Sequence, residues 1–409
     1  MKGNRGIHGR IGSSCWIALL CLLFVTCLSF SLQSNAGSRE QARRIHDRLA
    51  GVPPSDAVLQ QMEDAINGVG GQTILDAADI AMNNPAFYAV TLKNIVAPWT
   101  NRDQDIFVPL NDYIATYIGL VRDQSDFRRI LYDDVIYVGN NAPAYSNSNN
   151  GHYEALENSN TNLAVPANLF ALAQSDPAAS GLNTNATAGV MTSRAGARAF
   201  FADGTNRAML RYTVLNHLCY DMEQLKDTTR PADRIRQDIS RTPGGDSRLF
   251  MNNCVGCHAG MDPLAQAYAY YQWDYSGDPD TGNLRYTPGT VEAKYFINAT
   301  TFPHGFVTPD DRWDNFWREG INKELVKWDT NNSGLQSGGY GPKSLGIELA
   351  NSEAFARCHV SHAFKAVCLR EPADNADVNE ISRITGVFKS NNYNLKRVFA
   401  ETASYCAGN

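Results

Sequence analysis

The chain has 409 residues, 43% hydrophobic and 10% aromatic, with a formal charge of −6 at pH 7. That balance excludes disordered and collagen-like classes and gives no basic patch for a nucleic-acid partner. The nine cysteines and eight histidines carry most of the remaining information.

The first 36 residues read as a secretion signal. Lys2, Arg5 and Arg10 form a basic start, an uncharged apolar run follows from Cys15 to Leu32, and Ser34-Asn35-Ala36 offers small residues for cleavage after Ala36. The apolar run approaches membrane-spanning length, so an uncleaved anchor is the alternative. Cleavage removes three positive charges and no acid, which moves the formal charge from −6 to −9. The expected location is the periplasm or beyond, with no membrane span after cleavage.

The roughly 370 residues that remain suggest two domains, and the periodic segments are mostly helical. The spacing predicts helices over 39–49, 56–66 with Ser55 as N-cap, 73–82 and 86–96, the last stopped by Pro98. Residues 139–162, rich in Asn, Ser and Tyr, read as a long surface loop. A second small-residue stretch, 175–189, marks the expected domain boundary. Beyond it, helices are expected over 207–218, 247–258, 311–318, 344–367 and 395–405, with short strands at 135–138 and 295–298.

The fold class is therefore mainly α. A helical N-terminal domain (37–185) is followed by a helical cytochrome c-like domain with long loops (186–342) and a helical C-terminal segment packed on it (343–409). The Asp- and Gly-rich stretches 278–282 and 329–334 read as turns, because Tyr340 stands where a calcium loop of the second would need Glu.

Residues 254–258 read Cys-Val-Gly-Cys-His, the attachment run of a covalent c-type haem. Two thiols three positions apart on one helical turn can form thioethers to both vinyl groups, and the next imidazole then lies beneath the iron. Cys254 and Cys257 are the expected anchors of one haem c, and His258 the expected proximal iron ligand. A dithiol redox centre would follow a strand, whereas residues 248–253 look helical. A zinc site would need a second ligand pair, and Cys358, His359 and His362 are scattered in the sequence.

The sixth iron ligand decides between electron transfer and small-molecule binding. His304, in Phe302-Pro303-His304-Gly305-Phe306, ranks first, because Pro and Gly fix the loop and two aromatics flank the ring. Met261 lies too near His258 to cross the ring. His217, Met191, Met209 and Met222 are upstream alternatives, with His217 read as a satisfied core histidine. His359 and His362, one helical turn apart, read as a partly exposed polar face. Cys219, Cys358, Cys368 and Cys406 remain, enough for two disulfides in an oxidising compartment with three possible pairings.

From Met191 onward the chain resembles the planctomycete-type exported mono-haem cytochrome c proteins, over a little over half of the mature length. The resemblance rests on Arg207 to Cys219, on Cys254-x-x-Cys257-His258-x-x-Met261-Asp262-Pro263, on Trp273-Asp274 with Gly282 and Arg285, and on Ser352 to Cys358, Arg370 and Tyr393-Asn394-Leu395. The chain departs from the pattern at Ala208, where the family has Gly, and at residues 220–223, where it is proline-rich. The family implies haem binding and electron transfer, and supplies no substrate.

The expected function is single-electron transfer with a redox partner protein that carries a basic docking patch. A haem enzyme of peroxidase or oxygenase type is the first alternative, with the N-terminal domain as a substrate cleft. Di-haem peroxidases need two attachment runs and this chain has one. A haem-based binding or sensing protein is the third reading.

Overall fold

In the computed structural model, residues 36–140, 142–331 and 337–408 are described. The expected signal segment, apart from Ala36, and residues 332–334 of the second Asp/Gly stretch lie outside them. The described chain is mainly α, with three two-stranded antiparallel sheets.

Three capped helices open the fold. Helix α1 (Ser38–Ala50) stops at Gly51, whose φ of 73° supplies the left-handed cap. Helix α2 (Asp56–Ile66) starts where the Ser55 side chain accepts from the Val58 amide, and α3 (Ile74–Met82) starts with a Thr73/Asp76 capping box. Ile45, Leu49, Leu59, Met62, Ala78 and Ala81 pack between them and are buried. A wide π turn (Phe87–Leu92) continues into Lys93–Val96 and ends in a 3-10 turn (Ala97–Thr100) that contains Pro98.

The next helix, α4 (Asp112–Arg122), has every residue buried. Its polar Asp112 and Thr116 are buried too, with Asp112 accepting from the Arg194 and Ala195 amides, so no side of it faces solvent, and it was not singled out from sequence. The stretch 139–162 is not all loop: α5 (Gly151–Asn158) lies within it. There His152 Nε2 accepts from the Gly139 amide, its Nδ1 donates to the Pro143 carbonyl, and the Tyr153 hydroxyl donates to the Tyr137 carbonyl. Two inward side chains therefore order a segment whose composition is that of a loop.

Strand β1 (Ile136–Gly139), close to its expected place, pairs with β2 (Leu169–Leu172). The expected strand at 295–298 is instead a 3-10 turn (Ala293–Phe296), and Tyr295 is buried beneath the Arg236 guanidinium at 4.4 Å. The expected helix at 311–318 is also corrected. Strand β3 (Tyr271–Asp274) pairs with β4 (Asn283–Tyr286), β5 (Arg312–Asp314) pairs with β6 (Gly338–Tyr340), and a 3-10 turn (Phe316–Arg318) follows β5, capped by Asn315. Trp313 and Trp317 are both buried, so a strand and a turn satisfy the four-residue spacing that suggested a helix.

Helix α6 (Arg194–Phe200) and α7 (Arg207–Leu218) precede the helix of the attachment run, whose last part is α8 (Val255–Ala265). Short α9 (Ile321–Val326) follows β5. The expected single helix over 344–367 is two, α10 (Gly341–Ala350) and α11 (Glu353–Cys368), because Ser352 caps the Phe355 amide and starts a new one. Helix α12 (Asn375–Ser390), which sequence spacing did not single out, starts at an Asp374 cap, and α13 (Leu395–Cys406) ends the fold.

One buried hydrophobic cluster runs from Ala42 to Ala407, across residues 175–189. Gln174 joins both sides of that stretch by donating to the Val135 and Gly189 carbonyls. The C-terminal helices touch both halves, with α11 against α7 and α13 against α3 and α1. Two disulfides lock this arrangement, Cys219–Cys358 between the end of α7 and α11, and Cys368–Cys406 between the ends of α11 and α13. By loop-closure entropy they contribute about 5 and about 4 kcal/mol. No described helix is long and apolar enough to cross a membrane.

Candidate haem-attachment site

Residues 254–258 sit on a continuous helix over residues 247–265: an α turn (Ser247–Leu249) capped by Asp246, a π turn (Phe250–Cys254), then α8. Within α8, Cys257 and His258 follow Cys254 by three and four residues and so share its face. The other face is packed closely. A Cβ on Gly256 would lie 2.6 Å from Lys226 Cγ, and one on Gly260 would lie 1.9 Å from the Trp317 indole nitrogen.

Cys254 and Cys257 are the free cysteines among the described residues, since the other four are cross-linked. Both are partly buried. Cys257 donates to the Met222 carbonyl at 3.4 Å, and burial pushes its thiol pKa up. Beside Cys254 lies a second small apolar cluster of Ile235, Phe250 and Val255.

His258 Nδ1 donates to Asp262 Oδ1 at 3.0 Å, one turn along the same helix. Asp262 is fully buried and accepts from Arg207 Nε at 2.6 Å, Arg207 Nη2 at 2.8 Å and the Arg236 amide at 3.3 Å. Arg207 reaches Asp238 through Nη1 at 2.6 Å and Nη2 at 2.9 Å, and Arg236 lies 3.3 Å from the same carboxylate. Two arginines and two aspartates thus cancel in charge in the interior, the condition under which buried ions persist. Burial is the largest influence on Asp262 and raises its pKa, but Arg207, through charge and hydrogen bonds, with His258 and Arg236, overrides it and holds the carboxyl well below the usual range.

The consequence for His258 is a fixed tautomer. An ionised Asp262 only accepts, so in the neutral ring Nδ1 carries the proton and the lone pair falls to Nε2. Nε2 has no hydrogen-bond partner among the described residues, and the side chain is 17% exposed. Carboxylate-held imidazoles of this kind are oriented, and made more basic, for a metal at the opposite nitrogen.

The other candidates fall elsewhere. His304 is exposed and makes no hydrogen bond to the described residues. Its loop is hung on the segment beside the site, through Phe306 amide to Ile235 carbonyl and Gln237 Nε2 to Pro303 carbonyl. The flanking rings are occupied, with Arg241 4.3 Å from Phe302 and Arg234 4.5 Å from Phe306. Met191 and Met209 accept from Tyr268 and Thr213 in the core, while Met222 is the residue whose carbonyl meets Cys257.

His217 is the satisfied core histidine expected, with Nε2 2.7 Å from the Tyr113 hydroxyl and Nδ1 3.2 Å from His359 Nε2. The polar-face reading of His359 is corrected: it is 1% exposed, among Trp99, Phe127 and Phe355. Burial lowers the His217 pKa to about 3. Arg236 and Asp238, which complete the charge cluster, were not singled out from sequence, because an alternating Arg-Ile-Arg-Gln-Asp run looks like a solvated loop. The carboxylate four residues after His258 was the legible signal.

Among the described residues, three metal-ligating side chains with donor atoms within 4.8 Å of one another occur at Cys219, Cys358 and His362. Cys254, Cys257 and His258 do not form such a group, so their donors are not gathered around a single ion. A cavity of about 500 Å³, lined by Asn111, Asn150, Glu154, Arg194 and Arg198 among others, takes no residue from the helix over 247–265. Compared with protein-family models, curated proteins and solved structures, the chain matches none.

Proposed function

We propose that this chain is an exported c-type cytochrome holding one covalent haem through Cys254, Cys257 and His258, and that it passes single electrons. The observation that carries the reading is the locked His258: Nδ1 is fixed on buried Asp262 and Nε2 is left open, on a helical face that also carries two free thiols. Each thiol would add its S–H across a vinyl double bond, which consumes no oxidant. When bound, haem supplies an iron that alternates between ferrous and ferric states.

The chain's own residues supply the rest. Asp262 holds the Nδ1 proton, Arg207 and Arg236 keep that carboxylate charged and still, and the Ile235, Phe250 and Val255 cluster offers apolar cover beside Cys254. Arg207 and Asp262, 55 residues apart, both belong to segments that carried the family resemblance. Two disulfides fit an oxidising compartment, which supports export. The acidic chain suits a basic redox partner.

A haem enzyme is the second reading, favoured by Asp262, because a carboxylate-bound imidazole donates more strongly to iron. The cavity of about 500 Å³ does not border the attachment helix, which favours electron transfer.

The test is the absorption spectrum of protein matured with the c-type haem machinery, recorded oxidised, reduced, and reduced under carbon monoxide. Electron transfer requires a c-type reduced spectrum that ignores the gas. A prompt shift on adding carbon monoxide moves the enzyme and sensor readings ahead, and His304→Ala then shows whether that residue had any part in the sixth position.

A further inference from the structure

The cluster at Cys219, Cys358 and His362 lies where α7 ends against α11, apart from the attachment run. Cys219 closes α7 in a left-handed conformation with φ 60°, and Cys358 and His362 are one turn apart on α11. His362 Nε2 lies 3.4 Å from Cys358 Sγ, 3.5 Å from Cys219 Sγ and 3.1 Å from the Asn216 carbonyl oxygen. Cys358 Sγ lies 3.7 Å from that same oxygen.

Two sulfurs, one imidazole nitrogen and one carbonyl oxygen therefore surround a common point. A tetrahedral zinc ion, with bonds of about 2.3 Å to sulfur and about 2.0 to 2.1 Å to nitrogen and oxygen, sets its N···S edges at about 3.5 Å, its S···O edges at about 3.6 Å and its N···O edge at about 3.4 Å. The four measured edges agree within about 0.3 Å. The sulfur pair, joined by its covalent bond, must part. Trp99 packs on the His362 ring at a centroid distance of 4.7 Å and Cys358 is buried, while Cys219 lies at the surface, where a reductant can reach the bond.

We propose that Cys219, Cys358 and His362 form a zinc site when the Cys219–Cys358 bond is reduced, with the Asn216 carbonyl in the fourth position. A dithiol reductant supplies two electrons and two protons, the S–S bond becomes two thiols, and the reductant leaves as its own disulfide. Zinc then displaces the two thiol protons and binds two thiolates and the neutral imidazole. The pair thus has two closed states, a disulfide when oxidised and a metal cross-link when reduced, both tying α7 to α11. This inference does not depend on haem.

The test uses the mature chain, reduced anaerobically with a phosphine, which takes its oxygen from water, and titrated with cobalt(II) as a visible probe and then zinc(II). The expected result is the absorption of one four-coordinate, thiolate-bound cobalt per chain, displaced by zinc. It persists in Cys254→Ser/Cys257→Ser and in Cys368→Ser/Cys406→Ser, is lost in Cys358→Ser, and weakens at least tenfold in His362→Ala. Should reduction unfold the chain, zinc must restore its helical circular dichroism in the parent and not in His362→Ala. Absent cobalt absorption, absorption that survives Cys358→Ser, or no zinc-dependent refolding would overturn the proposal.

Discussion

The molecule holds its histidines in two contrasting ways. His258 is fixed by an ionised partner inside a charge-balanced cluster, which leaves one ring nitrogen open. His217 and His359 are buried, satisfied largely by each other and by Tyr113, and lie among aromatics. The difference separates a ring prepared to bind from rings that fill a core: what matters is which nitrogen has a partner and whether that partner is charged.

The largest break in this contrast is Arg207→Met. It leaves the Asp238 and Asp262 carboxylates buried with Arg236 as their remaining cation, and a cost of about 3 to 5 kcal/mol is expected in urea unfolding. An unchanged midpoint would mean that the cluster is not the charge anchor described. Asp262→Asn is the finer cut, because it keeps the shape and removes the charge behind His258. In the haem-loaded protein the reduction potential should rise by about 60 to 120 mV, the equivalent of a ten- to hundredfold effect on a one-electron couple. A potential that stays put would reduce Asp262 to a structural residue.

His359→Leu addresses the other side of the comparison. The buried His217 Nδ1 loses its partner while a buried His359 Nδ1 that has none is removed, so the two changes offset and stability should change by no more than about 1 kcal/mol, with the haem spectrum unaltered. Lys294 lies outside both regions, and its effect is read through pH. Its ammonium donates to the Phe201 carbonyl, and burial brings its pKa down to about 7. The unfolded chain then holds more protons than the folded one between about pH 7 and pH 10.5, so stability gained from this group rises with pH across that window. Lys294→Met should flatten the slope there, as read from unfolding midpoints at pH 7 and pH 9.

The sequence carried the parts of this account that depend on local chemistry. Ser55 announced one helix through its cap, apolar spacing placed another over 73–82, and residues 254–258 placed two thiols and an imidazole on one helical face. It was silent where burial is complete, as in α4, whose polar residues are buried with the rest, and it misled where a few inward side chains order polar chain, as His152 and Tyr153 do in α5. Disulfide pairing and the meeting of Arg207, Arg236, Asp238 and Asp262 depend on contacts between distant segments, which periodicity does not encode.

The most direct test of the central claim is the intact mass of the chain after maturation with the c-type haem machinery, measured under denaturing conditions that release non-covalent haem. The account predicts an added mass of one haem, mapped by proteolysis to the peptide containing Cys254 and Cys257 and absent from Cys254→Ala/Cys257→Ala. A parent chain that emerges without haem under those conditions, with helical structure intact, would contradict it.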